Sequence, residues 1–168
     1  MRSRPDVKRL TALALLTAMA LAVQYLESLL PPLIPGVPVR AGFANVFVLY
    51  ALLRMTRADA LALTLLRSLL FALITGAVSG LMYSLAGGTL SFFAMALLLP
   101  LVKRGQLTAY GLSVAGAFLF NLGQCAVGLF IVGRAMLWYL PWMGLLSIPA
   151  GLVTALAASI VIRRVRAL

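Results

Sequence analysis

Glu27, Arg40, Asn45, Arg67, Tyr83, Asn121 and Gln124 are the side chains of this sequence best suited to recognising a polar molecule, and long apolar runs separate them. They offer a carboxylate that only accepts hydrogen bonds, guanidinium forks that only donate, and amides and a phenol that do both. Such a set suits the capture of an amphoteric or anionic small molecule. It does not suit catalysis. Histidine is absent, and the three acids, Asp6, Glu27 and Asp59, lie far apart in the chain. Cys125 is the one cysteine, so a disulfide within the chain is impossible. Zinc, haem and iron–sulfur sites held by this chain alone are excluded as well. No phosphate-binding G-x-x-x-x-G-K-[ST] loop is present. Nor is there an aspartate-rich cluster of the kind that holds Mg²⁺ and a diphosphate through oxygen ligands. The residues point to a binding protein that needs no cofactor and no metal, and not to an enzyme.

The rest of the chain is built for lipid. Of its 168 residues 64% are hydrophobic and 10% charged, with a mean hydropathy of +1.11, against roughly 25% charged in ordinary globular chains. A span needs about 20 apolar residues, which predicts an all-α integral membrane domain over 1–168 with about six helices. They are expected at 10–30, 41–55, 60–75, 89–101, 107–132 and 145–162. The basic start and Ala20-Leu21-Ala22 mimic a signal peptide and its cleavage site, but the apolar run is too long and further spans follow at once, so the first helix is expected to be retained. The second is too short for a hydrocarbon core of about 30 Å. Either it continues toward Met55, or the loop before it dips into the membrane under the cover of protein. The stretch Gly76–Gly88, GAVSGLMYSLAGG, is too rich in glycine for helix throughout, which puts the fourth helix at 89 or somewhat earlier.

The formal charge of +11 would suggest nucleic acid in a soluble protein. Here the bases cluster at the ends of apolar segments: Arg2, Arg4, Lys8 and Arg9; Arg54 and Arg57; Lys103 and Arg104; Arg163, Arg164 and Arg166. That is the positive-inside pattern, which predicts cytoplasmic termini and gives nucleic acid no role. The polar residues then converge on the outer half. Gln24 and Glu27 are three apart, as are Asn121 and Gln124, so each pair shares a helix face. Thr64, Arg67, Ser68 and Thr75 form a helical stripe, with Arg67 near mid-membrane. A charge at that depth costs at least about 2.5–3.5 kcal/mol and needs a partner. The proline-rich run ESLLPPLIPGVPVRAGFAN (27–45) is expected to be the lid and one wall of a solute pocket, with Trp138, Tyr139 and Trp142 stacking from another outer turn. Blander roles stay open at this level: amides and hydroxyls as glue between helices, a Glu27–Arg67 pair bracing two helices, Arg40 as a plain loop charge, and the tryptophans as interfacial anchors.

Ala14, Ala18 and Ala22 recur every four residues on a different face of the first helix. A doubled AxxxA lets another helix approach closely, either within the bundle or from a partner protein.

Glu27 with LPPLIPGVPVRAGFAN, Arg67, the Gly76/Gly80 pair, Tyr83-Ser84-Leu85-Ala86-Gly87-Gly88 and Asn121/Gln124 together resemble the bacterial Gx transporter family, also labelled heptaprenyl diphosphate synthase component I. The resemblance covers essentially the whole chain. That family is similar in layout to the S components of energy-coupling factor transporters. The resemblance implies a six-helix protein of the bacterial cytoplasmic membrane that captures a solute from outside. It would work with a transmembrane coupling subunit and ATPase subunits, docking through small residues on its first helix, as Ala14, Ala18 and Ala22 would allow. Two alternatives are a non-catalytic membrane subunit of prenyl diphosphate or quinone synthesis, and a membrane anchor for flavin-based electron transfer.

Overall fold

A computed structural model of the chain describes residues 7–31 and 39–166. Its helices are α1 (Val7–Leu29), α2 (Asn45–Arg54), α3 (Arg57–Thr75), α4 (Val78–Lys103), α5 (Ala109–Ile131) and α6 (Leu140–Arg166), with a 3₁₀ turn, Arg134–Tyr139, leading into the last. All but α2 are long and apolar enough to cross a membrane. Large apolar side chains such as Leu73, Leu97 and Phe130 stand exposed on the outside of the bundle, where lipid and not water is the fitting solvent. The chain is a multi-pass membrane helical bundle.

Local chemistry sets several of the helix ends. Thr56 and Asp59 form a capping box at the start of α3: the Thr56 hydroxyl accepts from the Asp59 N–H at 3.2 Å, and the Asp59 carboxylate accepts from the Thr56 N–H at 3.1 Å. Arg9 donates to both oxygens of the same carboxylate, at 2.7 and 2.9 Å, tying the start of α1 to the start of α3. Lys8, Arg9, Arg54, Arg57, Lys103 and Arg104 fall at helix ends on this one side of the bundle, while Arg2 and Arg4 lie outside the described residues. Gly76, in left-handed backbone at φ 66°, ends α3.

Three elements differ most from their sequence expectation, while α1 and α3 each begin three residues early, at Val7 and Arg57. Helix α2 begins at Asn45 and not at Ala41, because Gly42 (φ 82°) turns the chain just before it. Its 10 residues rise only about 15 Å. Helix α6 begins at Leu140, earlier than 145, since Pro141 sits in a first turn where its missing N–H would have had no partner. The largest difference is α4, which is helical from Val78 straight through the glycine-rich stretch.

A glycine in a helix costs roughly 0.5–1 kcal/mol relative to alanine. Close packing of α4 on α5 offsets that cost. A Cβ on Gly87 would lie 2.8 Å from the Phe120 carbonyl oxygen, and one on Gly123 would lie 2.6 Å from that of Ala86. The two backbones touch only because neither residue has a side chain. We expect Gly123→Ala to destabilise the bundle by about 1–3 kcal/mol. Gly144→Ala, whose Cβ would meet Phe118 at 3.4 Å, should stay within about 0.5 kcal/mol. Side-by-side thermal unfolding in lipid nanodiscs checks this; equal losses would exclude the α4–α5 contact as the cause.

Candidate functional site

Residues 39–44 are not helical, yet Val39, Gly42 and Ala44 are buried in the bundle, Val39 and Ala44 among its most buried residues. Irregular backbone in such surroundings must find hydrogen-bond partners in the protein. The Gln124 amide serves the Arg40 peptide on both sides, its oxygen accepting from the Arg40 N–H at 2.9 Å and its nitrogen donating to the Arg40 carbonyl at 3.0 Å. The Glu27 carboxylate accepts from the Gly42 N–H at 2.8 Å. Gly42 lies flat against Phe120, where a Cβ would sit 2.7 Å from the ring. Side chains of α1 and α5 thus complete the backbone of this segment. The prolines expected to form the rest of the lid, at 32–38, lie outside the described residues.

Arg67 is 1% exposed. One terminal nitrogen donates to Asn45 Oδ1 at 2.7 Å, the other makes a long contact of 3.5 Å to Gln24 Oε1, and Nε has no partner. Gln24 in turn donates to Ser84 Oγ at 3.2 Å, and Ser84 shares a 2.8 Å bond with Ser68. The Arg40 guanidinium stacks over Phe71, 4.4 Å from the ring centroid, a cation–π contact. Among the described residues Glu27 forms no ion pair with either arginine. The brace between Glu27 and Arg67 left open by the sequence is therefore absent.

These groups surround one cavity, lined by Gln24, Glu27, Arg40, Gly42, Arg67, Gly80, Tyr83, Ser84, Phe120 and Gln124. About 20 Å³ of it is open to the centre of a water molecule, enough for one water or a very small chemical group. The Tyr83 hydroxyl is buried without a partner. Of the side chains singled out in the sequence, Glu27, Arg40, Arg67, Tyr83 and Gln124 meet here, and Asn45 stands behind Arg67. Asn121 does not join them: its nitrogen donates to the Met143 carbonyl and to Ser147 Oγ, both at 2.9 Å, stitching α5 to α6. Trp138 and Trp142 are 83% and 67% exposed and line no part of the cavity, so their surroundings suit interfacial anchors. Phe120, Phe71 and Gly42 escaped the sequence reading. Phe120 could have been found, since it lies four residues before Gln124 on the same helical face. Ala14, Ala18 and Ala22 are exposed.

The family model described as heptaprenyl diphosphate synthase component I matches residues 16–161. The chain belongs to this family. The match includes every residue that lines the cavity. The description names one component of a larger assembly, which implies that members of heptaprenyl diphosphate synthase component I work with another subunit. No curated protein and no solved structure matches the chain.

If the Gln124 amide holds the segment in place, Gln124→Leu should leave the Arg40 N–H and C=O unsatisfied, each at a cost of about 1–3 kcal/mol. Hydrogen exchange in nanodiscs should then show amides 40–44 exchanging faster while those in the middle of α5 keep their protection. Unchanged exchange over 40–44 would mean that the segment is held by other contacts.

Proposed function

We propose that this protein captures a small amphoteric or anionic solute at the outer face of a bacterial cytoplasmic membrane for uptake driven by a separate energy-coupling module. The observation that carries the reading is a buried arginine with a spare donor at a cavity: Arg67 Nε and the Tyr83 hydroxyl are both buried and unpartnered. An unpaired buried polar group is costly. A solute that enters the cavity and accepts from these donors removes the cost, which is how a closed site favours its ligand over water. Glu27, Arg40 and Gln124 contribute to the walls, and Asn45 orients Arg67.

Such a subunit cannot power transport. The sequence has no phosphate-binding loop, so ATP hydrolysis must come from partner ATPase subunits through a transmembrane coupling subunit. The exposed Ala14, Ala18 and Ala22 supply a flat strip for a partner helix. The family description favours a second reading, a non-catalytic membrane component of prenyl diphosphate synthesis. It requires a soluble partner carrying the aspartate clusters that this chain lacks.

Pull-down in mild detergent separates the two readings. Capture and uptake predict that ATPase subunits co-purify; recovery of a soluble prenyl synthase in their place would sink the transport reading. The double variant Ala14→Leu, Ala18→Leu should lose the ATPase subunits yet retain solute binding. Arg67→Gln should keep the subunits and weaken binding roughly ten- to hundred-fold, the order expected for a charge-assisted hydrogen bond.

A further inference from the structure

We infer that the cavity is built for a compact group carrying a single negative charge, a carboxylate-sized monoanion, and discriminates against zwitterions, cations and dianions. This rests on the capture reading above and narrows it from amphoteric or anionic solutes to one class.

The charge balance of the site follows from the sequence and the fold together. Arg67 and Arg40 bring two positive charges to the cavity wall, and Glu27 brings one negative charge. No other acid can reach them. The chain contains three acids in all. Asp59 is held by Arg9 at the opposite end of the bundle. Asp6 directly precedes Val7, which begins α1 about 30 Å of helix away from Glu27. Residues 32–38, PLIPGVP, contain no charged side chain. The side chains of the cavity wall therefore carry one positive charge in excess.

The bonding of each group agrees with that balance. Both partners of Arg67, Asn45 Oδ1 and Gln24 Oε1, are neutral amide oxygens. Arg40 rests on the face of Phe71 and not on a carboxylate. Glu27 is engaged with the Gly42 N–H, so its charge is committed to the backbone turn more than to an ammonium group. A buried cation without a counter-ion is strongly unfavourable, and one entering negative charge neutralises the site. A zwitterion leaves the imbalance unchanged, a cation worsens it, and a dianion reverses it. The space of about 20 Å³ limits the buried part of the ligand to a head of a few atoms.

The test uses the full chain in lipid nanodiscs, with acetate, malonate, glycine and methylammonium as probes at matched ionic strength in a bulky sulfonate buffer. Ligands that bind the folded state and not the unfolded one raise the unfolding midpoint, and the more so the higher their concentration relative to Kd. Acetate should raise it, and glycine and methylammonium should not. Glu27→Gln keeps an oxygen for the Gly42 N–H but removes the charge, and should turn the preference toward malonate by roughly ten-fold, one charge-assisted bond's worth. Gln24→Glu places a carboxylate where Arg67 now meets an amide; it should raise the midpoint of the empty protein and abolish the acetate response. A response to glycine or methylammonium stronger than that to acetate would overturn the monoanion assignment and leave solute capture standing. So would a Gln24→Glu protein no more stable than the parent. Failure of acetate, malonate, glycine, methylammonium and a small-metabolite extract to shift the midpoint at all would overturn both.

Discussion

Peptide groups that leave a helix inside an apolar bundle must still be hydrogen-bonded, and residues 39–44 impose that demand on everything around them. The Arg40 and Gly42 amides find their partners in side chains, Gln124 from α5 and Glu27 from α1. Gly42 must lack a side chain because Phe120 occupies the space. Phe120 in turn lies where α5 presses on α4, and that approach requires Gly87 and Gly123. The cavity is what remains where this segment, α1, α3, α4 and α5 fail to close completely.

Arg67 is the second constraint, and it is electrostatic. A guanidinium that is almost wholly buried normally sits against a carboxylate. Here its hydrogen-bond partners are the Asn45 and Gln24 amides, and the Glu27 carboxylate acts on it only at longer range. Amides can orient a cation without cancelling its charge. Had Glu27 paired with Arg67, the same residues would form a structural brace between α1 and α3. The bond from Glu27 to the Gly42 N–H is thus as important to the site's character as the arginine itself.

The family description points to prenyl diphosphate synthesis, whereas the side chains around the cavity offer cationic and amide groups and one acid. The description and the chemistry are compatible if the word component is taken literally: a membrane partner that supplies binding and leaves chemistry to others.

By itself the sequence determined the membrane class, the number of helices and the positions of most of them, because bilayer thickness and the cost of a charge in lipid act on composition alone. It also determined the total charge available to the site, since three acids among fourteen bases leave few ways to neutralise buried arginines. The tertiary structure decided the partners. Asn121 and Gln124 are three residues apart and read alike, yet one stitches α5 to α6 and the other holds the Arg40 peptide. On sequence, glycine-rich α4 is expected to start near residue 89, because propensity counts the entropy of glycine and is blind to a neighbouring backbone that only glycine admits. Whether Glu27 would neutralise Arg67 or bind a backbone amide depended on where residues 39–44 came to lie, and that is fixed by contacts between helices far apart in the chain.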